Sequence, residues 1–119
     1  MRHIDDRERR ARLAVRHGLH PLHRLPDPVA VTGAMTVLHA TEAATVYLAI
    51  NARADRVGVA DIDRALYQDR TLVKQLAMRS TLFVLPRDLL PAALGSASVR
   101  VAAEQHRRLA RDVQAHGIA

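Results

Sequence analysis

The sequence contains no cysteine and no tryptophan, and its only aromatic side chains beyond the histidines are one phenylalanine and two tyrosines. Without cysteine there is no disulfide, no thiol nucleophile and no thiolate-bound zinc. So few rings leave no platform on which single-stranded bases could stack, which favours a duplex over a single strand as a nucleic-acid partner. No apolar run reaches the roughly 18 residues of a membrane span. The opening residues Met1-Arg2-His3-Ile4-Asp5-Asp6 carry acids where a secretory signal carries an apolar stretch. A soluble cytoplasmic chain with no membrane partner is therefore expected. No motif calls for a cofactor.

What the sequence has in quantity is positive charge, +6 over 119 residues, and of 18 basic residues only Lys74 is a lysine. Guanidinium groups suit bidentate contact with phosphate, although such a balance names no base sequence. The length fits one compact domain that buries roughly two-thirds of its unfolded surface. His17, His20 and His23 recur every third residue. Gly18 and Pro21 deny them a common helical face and no second-shell carboxylate lies nearby, so they read as exposed loop histidines and no metal site is expected.

In chain order, Asp5 or Asp6 can cap a first helix that runs to about His17 and stops at Gly18. Gly18 to Pro28 reads as a loop. Asp27 followed by Pro28 predicts a second helix to about Leu38. His39 and Thr41 then form an elbow, with Thr41 as N-cap of a third helix whose inward stripe is Ala43, Val46, Tyr47 and Ile50. Val59, Ile62 and Leu66 predict the buried face of a fourth, and Thr71 is placed to cap a fifth over Leu72 to Met78. On that reading Arg70 and Lys74, four apart, share an exposed helix face. Thr81-Leu82-Phe83-Val84-Leu85 is the one convincing strand, and no second wing strand is expected. Pro86-Arg87-Asp88 predicts a helix ended by Gly95. A last helix, capped by Ser96 or Ser98, follows to about His116, with Val99, Ala102, Ala103, Leu109, Ala110 and Val113 toward a core and Arg100, Arg107, Arg108 and Arg111 as a solvated face. The expected fold is mainly α with a small β element: a winged helix-turn-helix over residues 27–95, an N-terminal helix and loop arm at 1–26, and a C-terminal helix at 96–119.

His39-Ala40-Thr41-Glu42-Ala43-Ala44-Thr45-Val46-Tyr47-Leu48 resembles the "HATDPATVYL" form of the signature of the winged-helix DNA-binding superfamily that includes the AlkZ-like and YcaQ-like bacterial DNA glycosylases. Asp61 to Val73 and Met78 to Val84 are similar to the same family, so the resemblance covers roughly residues 27–90. It implies duplex DNA as partner. It also implies a chain with further tandem winged-helix units, of which this is an N-terminal portion or a truncated paralogue. In the glycosylase branch the positions of His39 and Thr41 hold a Gln-x-Gln or Gln-x-Asp pair, and the resemblance makes those two residues the catalytic candidates. Here a histidine and a threonine stand there, and Ala43 replaces the usual proline.

Three functions follow as expectations. The first is a sequence-tolerant duplex-binding module using Arg70, Lys74, Gln75 and Arg79. The second is a base-excising glycosylase using His39 and Thr41. The third is a structural remnant. A glycosylase must stabilise positive charge developing on the sugar and orient a water. Imidazole can act as a base near pH 7, whereas a threonine hydroxyl supplies no negative charge.

Overall fold

The computed structural model describes residues 1–117, in which α1 (Asp6–Arg16), α2 (Pro28–Met35), β1 (Leu38–His39), α3 (Ala43–Asn51) and α4 (Val59–Asp63) follow one another along the chain. A π turn over Arg64–Gln68 extends α4. Then come β2 (Leu72–Ala77), β3 (Thr81–Pro86), a 3-10 turn at Arg87–Leu89, α5 (Leu90–Ala93), a second π turn over Leu94–Ser98, and α6 (Val99–Ala115). Helix, strand, two helices and a hairpin make a winged helix-turn-helix of mainly α character, with extra helices before and after it.

Two of the expected caps hold. The Asp5 carboxylate accepts from Glu8 N at 2.7 Å, and Asp27 accepts from Ala30 N at 2.8 Å with Pro28 in the first turn. Thr41 does not cap α3. The residue at the cap is Glu42, which makes no side-chain cap bond, and the helix begins only at Ala43. The reason is that the preceding segment belongs to the sheet. Ala40 N–H bonds Leu82 O at 2.9 Å, which holds the chain extended and leaves Thr41 one residue too early to reach the free amides of the first turn. For the same reason α2 stops at Met35 rather than Leu38, with Thr36 turning out of it at φ 70°.

The larger correction concerns the segment after Thr71. Leu72–Ala77 is a strand and not a recognition helix, so Thr71 caps nothing and Arg70 and Lys74 share no helix face. A second wing strand therefore exists, and it precedes the one legible in the sequence. β3 lies in the middle of an antiparallel sheet of order β1-β3-β2, with Leu72 opposite Pro86, Lys74 opposite Val84, Ala77 opposite Thr81, and Leu38 opposite Val84 on the other edge. A central strand has backbone donors and acceptors on both edges that must be met. That demand overrides the helical preference of the Leu, Lys, Gln and Ala residues in β2. Topologically the helix at the recognition position is thus α4 with its π turn.

Alternation along β3 feeds two layers. Val84, with Leu38 and Leu72, packs into a core of Val31, Val46, Ile50, Ile62 and Leu66 from the helices, and Leu82 lies at its margin. Phe83 and Leu85 face the other way, toward Leu89, Ala92 and Ala93. Val59, expected inside, is exposed at the start of α4. Chain residues from Gly18 onward are pinned beneath α3. Leu25 N–H bonds Arg53 O and accepts from Asp55 N, both at 2.8 Å, and the Arg24 guanidinium bonds Asn51 O and Ala54 O. Gly18 permits this approach: its φ is +68°, and a Cβ there would meet Leu25 Cδ1 at 2.9 Å.

Gly95 does not end a helix. The chain stays helical from Leu90 to Ala115, and neither Ser96 nor Ser98 acts as a side-chain cap. Ser98 instead donates to Leu76 O at 2.7 Å, and this bond, with the buried Val101, fastens the helix to the wing. Val99 is exposed on the far side of the helix from the wing, and beyond Val101 the helix leaves the sheet, so Ala102, Ala103, Leu109 and Ala110 are exposed too and Val113 only partly covered. With α1 also burying nothing, the radius of gyration is 18.4 Å, against about 13.5 Å for a compact chain of this length.

The placement of the caps is testable by thermal unfolding. Asp27→Ala should lower stability by about 1 kcal/mol. Thr41→Ala should stay within about 0.5 kcal/mol of the parent, as for an exposed position without a structural bond.

Candidate functional site

His39 sits on an edge strand and points to the face of the sheet opposite the helical core. It is paired in register with Phe83, and Phe83 is paired with Gln75, so the three form one row across β1, β3 and β2. The His39 and Phe83 rings lie 4.8 Å apart at 55°. Two strand spacings put Gln75 about 9.5 Å from His39. Thr41 is exposed just past the strand. Among the described residues neither His39 nor Thr41 makes a side-chain hydrogen bond, so no carboxylate or carbonyl fixes the imidazole tautomer. The His39 imidazole is tilted against the phenyl ring and open to solvent, and among the described residues no carboxylate is bonded to it that could hold negative charge toward a developing sugar cation.

The four residues expected to contact DNA do not gather on one surface. Arg70 is exposed in the turn between α4's π extension and β2, at φ 52°. Lys74 is partly buried, its Nζ donating to Tyr67 Oη at 2.9 Å and lying 5.4 Å above that ring. Arg70, Tyr67 and Lys74 line one hollow together with Leu66 and Val73. Gln75 is on the opposite face of β2, in the row of His39, and its amide donates to Leu76 O. Arg79 is exposed at the tip of the wing. There Arg79 and Ser80 both adopt left-handed backbone, φ 53° and 55°, and Thr81 N–H closes the turn on Met78 O.

Sequence reasoning missed Tyr67 as the partner of Lys74, because a helical reading of Thr71 to Met78 turns Lys74 outward, whereas the strand brings it back onto the end of α4's π turn. It also missed the link between Tyr47 of α3 and Asp63 of α4, a 2.5 Å hydrogen bond donated by the phenol. That bond, helped by burial and by the Asp63 charge, pushes the Tyr47 hydroxyl up to about 12. The bond ties α3 to α4, the two helices of the helix-turn-helix. No group of three or more His, Cys, Asp or Glu side chains that could hold a metal ion occurs among the described residues.

The tyrosine sets a pH dependence. Its folded-state pKa is raised above the ordinary value of 10, so its contribution to stability is complete below pH 10 and is lost as pH climbs toward about 12. In alkaline titrations the melting temperature of the parent should fall more steeply between pH 10 and 12 than that of Tyr47→Phe. The variant should also be less stable at pH 8, by about 1 kcal/mol for the lost hydrogen bond.

Comparison with known proteins gives a family. The family model described as DNA glycosylase AlkZ-like matches residues 32–119, from α2 through the wing and into the last helix. No curated protein and no solved structure matches. A match over that much of the chain, on a winged-helix fold, means that the protein belongs to the AlkZ-like DNA glycosylase family.

Proposed function

We propose that this chain is a cytoplasmic duplex-DNA-binding module that holds the phosphate backbone through arginines with little base discrimination. The observation that carries the reading is the family match over residues 32–119, which takes in nearly all of the winged-helix unit, in a chain with a net charge of +6. Of the four residues expected to touch DNA, Arg79 is exposed at the wing tip and unpaired among the described residues, whereas the Lys74 ammonium is engaged by Tyr67 and Arg70 follows directly on the exposed Asp69. The winged-helix unit at 27–95 is the scaffold of the DNA-binding module, with the residue 1–26 arm tied to it through Arg24 and Leu25 and α6 packed against its wing.

A second reading is favoured by the exposure of His39 and Thr41 in the position of the family's catalytic pair: base excision with the imidazole as proton acceptor. The missing carboxylate or amide argues for binding without excision.

Fluorescence anisotropy with a labelled duplex tests the first reading. Three to five phosphate contacts give a log–log salt slope of roughly −3 to −4.5, and a flat response would remove it. Abasic-site cleavage on an N7-methylguanine duplex tests the second. No release is expected; release that disappears in His39→Ala, by the roughly 10²–10⁴-fold typical of a general base, would make the chain an enzyme.

A further inference from the structure

The helix at the recognition position is poorly charged for DNA. From Val59 to Arg70 it presents Asp61, Asp63 and Asp69 against Arg64 and Arg70. Asp61 is committed to the Gly58 amide at 2.8 Å and Asp63 to Tyr47, but Asp61 and Asp69 are exposed, where they would meet phosphates with like charge. Lys74, the nearest cation on β2, is turned onto Tyr67.

Where the wing meets the last helix, cations outnumber acids: Arg79, Arg100, Arg107, Arg108 and Arg111 stand against Glu104, which shares their face, and Asp112. Arg79 and Arg100 line one hollow, with Met78, Ala97, Val101 and Glu104. Gln105 Nε2 bonds Ser80 Oγ at 3.4 Å and Ser98 bonds Leu76 O, so wing tip and helix form one surface. At 3.6 residues per turn, Arg100, Arg107 and Arg111 fall within about 40° of one another, with Arg108 about 60° further round. These three span about 16 Å of helix axis. The ion pairs found among the described residues lie at the N-terminal end, between Arg2, Arg9 and Arg12 and the acids of α1, so the α6 guanidinium groups are uncommitted.

From these observations we infer that the duplex backbone is taken by a ridge made of the wing tip and α6, through Arg79, Arg100, Arg107, Arg108 and Arg111, and that α4 stays out of the major groove. The inference rests on the DNA-binding reading above and narrows it to a surface. It explains binding without base readout, because a ridge of guanidinium groups along one helix contacts phosphates and carries no pattern for base edges. A duplex fits better than an anionic lipid surface, since the ridge continues onto the exposed Arg79 and Ser80 and lies away from the exposed Val99 and Leu109.

The test uses the whole chain and a labelled 20-base-pair duplex at about 50 mM salt, with Arg100→Gln/Arg107→Gln/Arg111→Gln set beside Arg64→Gln/Arg70→Gln. Circular dichroism melting checks that both remain folded. Loss of three phosphate contacts should weaken binding about 100-fold and flatten the salt slope by about 2.7, while the α4 pair changes affinity less than about threefold. Lysine at the same three α6 positions should restore most of the slope. If the parent binds but the α6 triple keeps its affinity and slope, the ridge is wrong and the DNA-binding reading stands. If the parent does not bind duplex at all, both fall. Retention of duplex binding by the α6 triple together with loss of its binding to phosphatidylserine vesicles would assign the ridge to a membrane surface and overturn the proposal.

Discussion

The structure depends on the backbone of β3 being satisfied on both edges. Once Thr81–Pro86 lies between β1 and β2, its two faces are committed as well, one to the three helices and the other to the helix that follows. The short β1 fixes where α2 must stop and where α3 can begin. The wing hairpin fixes where the last helix must dock. Positions that read as local choices in the sequence, such as the start of α3 at Ala43, are consequences of this central strand.

Local chemistry was legible where its partner was local. Asp5 and Asp27 are caps because the amides they satisfy are three residues away, and a carboxylate at that spacing is enough to say so. The stripe of Val46, Tyr47 and Ile50 was legible for the same reason. β2 was not, because Leu72 to Ala77 carries helix-forming residues and becomes a strand only through hydrogen bonds to Thr81–Pro86, which lies beyond a turn whose Arg-Ser sequence lacks the usual Asn-Gly signal. Gly95 misled in the opposite direction. A glycine inside a helix costs about 1 kcal/mol relative to alanine, but here Ser98 and Val101 dock just beyond it and hold the helix through that position.

The candidate site shows the same division. The signature word pointed to His39 and Thr41, and the fold explains why that segment matters: it is the edge strand and the entry to α3, open to solvent on the side that the wing row of Phe83 and Gln75 shares. The expected grouping of Arg70 with Lys74 rested on a helix over Leu72 to Met78; because that segment is a strand, Lys74 and Gln75 lie on opposite faces of β2 and Arg70 in the turn before it. Nor does the sequence reveal that Arg100 shares a hollow with Arg79, because that depends on the wing packing against the start of α6.

Most of α6 has no tertiary support. Past Val101 the helix runs for another fourteen residues with its side chains largely in solvent, and an unsupported segment of that length is marginally helical in water. Its amide protons should therefore exchange with deuterium far sooner than those of β3, and trypsin should find Arg107, Arg108 and Arg111 before any arginine of the winged-helix unit. Whatever covers those guanidinium groups would slow both processes, so a footprint of protection over residues 102–115 reports occupancy of this helix directly, without any measurement of affinity.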